Sequence, residues 1–147
     1  RRMSTLPTLQ QLLKDSNLAE KAHEVDKNLV RLQWGSAFVL VGISGSAIVA
    51  IAPLFRQPPN DKLSLFLRKL LEHNAYMGGM ASFAIQPDGW VILHSGRALK
   101  GMDANEFATM VAGVGRFADQ FDDTLIAEFY AMQPEATNQA PIEHTAE

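Results

Sequence analysis

A chain of 147 residues, 47% apolar and 20% charged, has room for one domain with its own core but not for two of ordinary size. Its 13 basic and 16 acidic side chains leave a net charge of −3, and the cations are scattered singly or in pairs, so no basic stripe offers itself to a nucleic acid. Cysteine is absent, which excludes disulfides, thiolate metal sites and cysteine nucleophiles and fits a reducing cytoplasm. Arg1-Arg2-Met3 has no apolar stretch behind it, so a secretory signal is not expected.

The first element expected is a short helix from Thr5 to about Lys14. Leu6, Leu9, Leu12 and Leu13 fall on one side of a 3.6-residue period, Pro7 suits a first turn, and Thr8 with Gln11 suits a capping box. Asn17 to Asn28 is polar and reads as a continued helix or a loop. From Leu29 to Phe55 the chain is strongly apolar, with no charge between Arg31 and Arg56, and a hydropathy window alone would report a membrane span. Three features oppose that reading. Gly35-Ser36, Ser44-Gly45-Ser46 and Pro53 interrupt the run, and Val39, Val41, Ile43, Ile48, Val49 and Ile51 are β-branched. The flanks also carry no positive cluster. Three antiparallel strands are predicted, at about 28–34, 37–44 and 46–55.

Gln57-Pro58-Pro59-Asn60 stops the last of these, and Asn60 or Asp61 is the expected cap of a second helix over 61–74. Leu63, Phe66, Leu67, Leu70 and Leu71 form its apolar stripe, and Leu65 falls off it. After Gly78-Gly79, Met80–Ile85 and Trp90–Ser95 read as a hairpin across Gln86-Pro87-Asp88-Gly89, an order rich in turn chemistry. The final helix, 103–131, starts at Asp103 with Glu106 three residues on. Phe107, Met110, Val111, Val114, Phe117, Phe121, Leu125 and Phe129 repeat along it. A domain over 5–132 is therefore expected, with a disordered tail over 133–147, where two prolines stand and apolar periodicity is lost.

Reactive constellations are missing. His23, His73, His94 and His144 have no metal-ligand spacing, and Gly42-Ile43-Ser44-Gly45-Ser46 lacks the closing glycine of a nucleophile elbow. Asp119, Asp122, Asp123 and Glu128 lack the loop glycine of a calcium site and read as a solvated helix face. No catalytic residue, cofactor or metal is expected.

The strands are more informative. Phe38 and Leu40 would share one face of the middle strand, and Val39, Val41 and Ile43 the other. A sheet with one wet face should alternate apolar with polar, and this one does not. Three helices can cover one face. The other is left to a terminal segment, a second subunit or a client. Trp34 and Trp90 are read as core or sheet aromatics, with anchoring at an interface as the alternative.

The order helix, three-strand meander, helix, hairpin, helix resembles the Tir-chaperone (CesT-like) family of type III secretion chaperones and the related YbjN-like domains. The resemblance runs over residues 6–129 and is sharpest from Leu63 onward. It rests there on Leu70-Leu71-Glu72-His73-Asn74, Gly78-Gly79, Asp88-Gly89 and Val91-Ile92-Leu93, then on Leu99-Lys100-Gly101-Met102-Asp103 before the long helix. It implies an α+β fold, α-β-β-β-α-β-β-α, whose twisted antiparallel sheet of five strands is packed by helices. It also implies a cytoplasmic homodimer without cofactor or catalysis, wrapped by an extended client segment. Leu9, Leu12, Trp34, Phe38 and Leu40 are the candidate client contacts, and Leu65 and Tyr76 the candidate dimer contacts. A YbjN-like regulator and a small-ligand sensor are the competing readings.

Overall fold

A computed structural model describes residues 6–130. The first helix, α1 (Leu9–Asp15), is capped by Thr8, whose hydroxyl accepts from the Gln11 N–H at 3.1 Å. A 3-10 turn (Ala19–Lys21) leads into β1 (Ala22–Asp26), followed by β2 (Leu29–Trp34), β3 (Ala37–Ser44) and β4 (Ala47–Arg56). Then come α2 (Asn60–Met77), β5 (Ser82–Ile85), β6 (Trp90–Ala98) and α3 (Ala104–Phe129).

All the strands join one antiparallel sheet in the order β1-β2-β3-β4-β6-β5. It has six strands rather than the expected five. The addition is β1, inside the segment read as helix or loop. Its backbone pairs Ala22 with Leu32 and His23 with Arg31, but most of its side chains are exposed. An edge strand held by hydrogen bonds and not by burial shows no apolar alternation. The stretch that mimics a membrane span is the β2–β3–β4 meander, turning at Gly35 (φ +59°) and Gly45 (φ +60°). Among the described residues no helix is long and apolar enough to cross a membrane.

The helices pack on one side of the sheet. The 26-residue α3 lies across β2, β3, β4 and β6, with α1 against it and α2 beside β5. Val39, Val41, Ile48, Ala50, Val91 and Leu93 meet Phe107, Met110, Val111, Val114 and Leu125 in a core that excludes water. Helix α2 departs from expectation at both ends. Pro59 is its N-cap, in place of Asn60 or Asp61, and it continues past residue 74 to Met77, where Gly78 ends it at φ +61°. Its buried side chains are Phe66, Leu70 and Met77, whereas Leu67 and Leu71 are exposed. A helix at the border of a sheet, beside a four-residue strand, has only a narrow strip to bury.

The β2–β3 turn is fastened to α3 at two adjacent points. Trp34 packs so closely on Gly115 that a Cβ there would lie 2.5 Å from Trp34 Cγ. One turn further on, Asp119 Oδ1 accepts from the backbone N–H of Ser36 (3.1 Å) and from its hydroxyl (2.9 Å). Gly113, two residues before Gly115, has no atom of the described residues within 4 Å of its Cβ position. The same substitution should therefore act oppositely at the two sites. Gly115→Ala, which must displace Trp34, is expected to cost about 1–3 kcal/mol. Gly113→Ala should stabilise by about 0.5–1 kcal/mol through helix propensity. Urea unfolding of the two variants checks both signs.

Candidate functional site: an open sheet face and an exposed helix face

The strand register sorts the sheet residues into two sets. Val39, Val41, Ile48, Ala50 and Ala52 lie fully or almost fully buried under the helices. The alternate set faces the other way. Leu40 stands opposite Ile51, Gly42 opposite Val49, Ile51 opposite His94 and Pro53 opposite Ile92. Phe38, Leu40, Val49 and Ile51 are shielded by one another only in part, and none of them belongs to the core or packs against it. Among the described residues no element covers this apolar face. At its β2 side, Arg31 stands opposite Leu40, with its guanidinium carbon 4.0 Å from the centroid of the Phe38 ring.

The five candidate client residues do not converge. Phe38 and Leu40 share the open face. Trp34 belongs to the opposite face, where it packs on Gly115 with the Lys21 ammonium 5.3 Å from its ring centroid. Leu9 and Leu12 are buried in the core, so their expected availability on the surface is corrected. The period that marked them as one face of α1 was the signature of a face docked within the chain. A groove of about 180 Å³ beside α1 is bordered instead by Gln10 and Leu13, with Ala22 and Glu24 of β1 across it.

The second apolar surface is on α2. Leu65 (69% exposed), Tyr76 (70%) and Leu71 (68%) project into solvent, with Leu67 less so. Leu65 and Tyr76 lie three helical turns apart on one stripe, with Arg68 and Glu72 nearby. Beside Leu65 runs a groove of about 400 Å³ between α2 and the end of α3, lined by Lys62, Arg68, Lys69, Glu72, Glu128 and Phe129. Ion pairs hold its rim: Arg68–Glu72 at 3.2 Å and, between the two helices, Lys69–Glu128 at 3.9 Å. Sequence reasoning missed Leu67 and Leu71 as surface residues. The signal was there, because the apolar residues of α2 reach around more of the helix than one contact buries.

Beneath this surface, Asn74 and His73 seat α2. The Asn74 Oδ1 accepts from the Phe83 N–H at 2.6 Å, and its amide donates to the Phe83 carbonyl at 3.4 Å, which clips α2 to β5. The His73 ring stacks on Phe121 of α3 at 4.3 Å, with Phe83 at 6.1 Å, and its buried Nε2 has no hydrogen-bond partner among the described residues. Burial, and after it the Lys69 charge, holds the His73 pKa below the usual imidazole value, against the opposite pull of Glu128 and Glu72. The acidic face of α3, expected to be merely solvated, partly serves as the turn anchor: the Ser36 hydroxyl also reaches Asp122 at 3.4 Å. Burial pushes the Asp122 carboxyl upward.

A base whose pKa is lowered by folding binds fewer protons in the native state than in the unfolded one. Stability is then complete above the unfolded value of about 6.5 and falls as pH drops below it. His73→Phe keeps a ring against Phe121 and removes this titration. Between pH 7 and pH 5 the urea midpoint of the wild type should therefore fall more steeply than that of His73→Phe, all other titrations being common to both.

Comparison with known proteins agrees with this architecture. No curated protein sequence matches the chain significantly. Among solved structures, the heterodimeric complex ExoU–SpcU from the type III secretion system of Pseudomonas aeruginosa is similar to it (TM-score 0.59, 12% identity). That match covers 78% of this chain and 95% of the other. The HopA1–SchA chaperone–effector complex matches with a TM-score of 0.58 at 10% identity, over 78% and 92% of the two chains. YbjN from E. coli matches with 0.56 at 16% identity, over 89% and 97%. At these identities the likeness concerns the fold alone. The family model of the Tir chaperone proteins matches residues 8–120, and the chain belongs to the Tir chaperone protein (CesT) family.

Proposed function

We propose that this protein is a non-catalytic cytoplasmic chaperone, a symmetric dimer that holds an extended segment of a client protein destined for secretion. The observation that carries the reading is the uncovered apolar face of the sheet around Leu40 and Ile51. Exposed apolar area of this kind is the usual mark of an interaction site. The flat, open form of the surface suits an extended chain better than a small ligand, for which an enclosing cavity would be expected. Membership in the chaperone family supports it, as do similar folds found in complexes described as ExoU–SpcU and as chaperone–effector HopA1–SchA. The likeness to YbjN keeps a regulatory role as the second reading.

The exposed face of α2 is the proposed dimer contact. Two-fold symmetry lets one patch serve both subunits. Leu65 and Tyr76, on one stripe of the helix, supply that patch on the helix side of the sheet, away from the proposed client face. Neither surface would then obstruct the other. Burying one leucine contributes on the order of 2 kcal/mol per subunit. An aspartate in its place would leave an unpaired charge in the contact. Light scattering at micromolar concentration is expected to give a dimer for the wild type and a shift toward monomer for Leu65→Asp and for Tyr76→Asp. A strict wild-type monomer would refute the arrangement.

The client face has its own test. Tagged wild-type protein is expected to co-purify with one reproducible protein partner, identified by mass spectrometry. Leu40→Asp should lose that partner while remaining a folded dimer. Retention of the partner by Leu40→Asp would move the client off this face, and a bound small molecule in place of a protein would favour a sensor.

A further inference from the structure

The polar positions of the open sheet face have an uneven charge. Although the chain carries a net charge of −3, Asp26 is the one carboxylate in register with this face. It stands at the β1–β2 turn, where its Oδ1 accepts from the Asn28 N–H at 2.8 Å. Arg31 is placed differently. It lies mid-strand beside Leu40, is exposed, and forms no ion pair among the described residues. Its guanidinium rests over the Phe38 ring, 4.0 Å from the centroid. A guanidinium seated on an aromatic ring has less side-chain freedom left to lose when a partner arrives. It also offers a forked set of donors that match a carboxylate. Next to an apolar surface, such a cation rejects segments that bring a second cation and favours those that bring an acid.

We infer that this face selects an extended apolar segment carrying a carboxylate, and that Arg31 is the residue that receives it. In a segment lying on the sheet, alternate side chains face the surface. The acid therefore belongs two residues away from aliphatic neighbours on the same side of the segment. The inference rests on the chaperone reading and adds a charge preference to it.

Selection from random peptides displayed on phage, against the full-length wild type and Arg31→Glu, tests the two separately. The wild type should enrich peptides with Asp or Glu at a spacing of two from aliphatic residues, and Arg31→Glu should enrich Lys or Arg at that place. A synthetic peptide from the wild-type pool should bind Arg31→Glu about tenfold more weakly. Exchanging its acid for Lys should restore binding to Arg31→Glu, and Leu40→Asp should bind neither form. Apolar peptides enriched without acid preference, binding wild type and Arg31→Glu alike, would sink the role of Arg31 and leave the face as the client site. Peptides bound equally by Leu40→Asp, or no enrichment at all, would overturn the docking face itself. If circular dichroism shows Arg31→Glu unfolded, Arg31→Gln replaces it, with loss of the acid preference as the expected result and its persistence as the refutation.

Discussion

A six-stranded sheet that is apolar on both faces but has helices on only one of them sets the terms for everything else in this protein. β3 and β4 carry aliphatic residues at nearly every position, so their pleat presents Val39, Val41, Ile48 and Ala50 to one side and Leu40, Val49 and Ile51 to the other. The three helices lie on the first side, and α3 alone crosses four strands. Covering the second side would need another layer of secondary structure, and none is present among the described residues. The hydrophobic effect that stabilises the core therefore leaves an apolar surface open.

The placement of α2 follows from the same geometry. With α3 over the middle of the sheet, α2 is displaced to the short β5 strand, where Asn74 clips it to the Phe83 backbone and the His73 ring stacks on Phe121. That seat buries only Phe66, Leu70 and Met77, so Leu65, Leu71 and Tyr76 are left facing solvent. Two apolar surfaces thus come to lie on opposite sides of the molecule. In the proposed arrangement this separation lets the protein pair with a second copy and still hold a client. The His73 stack ties the seating of that helix to a ring whose protonation burial disfavours.

The β2–β3 hairpin needs a separate restraint, because one face of its strands has no helix to hold it. Trp34 against Gly115, and Asp119 accepting from both the backbone and the hydroxyl of Ser36, fasten its turn to α3. The hairpin that carries Phe38, Leu40 and Arg31 is therefore held by the core side while its other side stays free. A receiving surface with little backbone freedom loses less entropy when a flexible segment settles on it.

Much of this was legible in the sequence, and the parts that were share one cause. Helix α3, the β3–β4 and β5–β6 hairpins and the capped start of α1 are set by local rules, namely periodicity, turn chemistry and capping, which act between residues close in the chain. The two-faced character of β3 was equally local, since it needs only the alternation of side chains along a strand. β1 was hidden because an edge strand is held by its neighbour's backbone, and exposed residues such as His23 and Glu24 leave no hydrophobic signature. Which leucines of α2 are buried depended on how far α3 pushes that helix toward the sheet border. Leu67 and Leu71 therefore looked like core residues and are not, while Leu9 and Leu12 looked available and are buried. Trp34 and Phe38 are both candidate client contacts by sequence, and the register of β2 against β3 puts them on opposite faces. The anchor between Ser36 and Asp119 joins residues 83 apart in the chain. The sequence by itself determined the elements and the surplus of apolar strand surface, because those follow from neighbours a few residues away. Only the tertiary structure decided which of those surfaces stays open, because that depends on packing between elements distant in the chain.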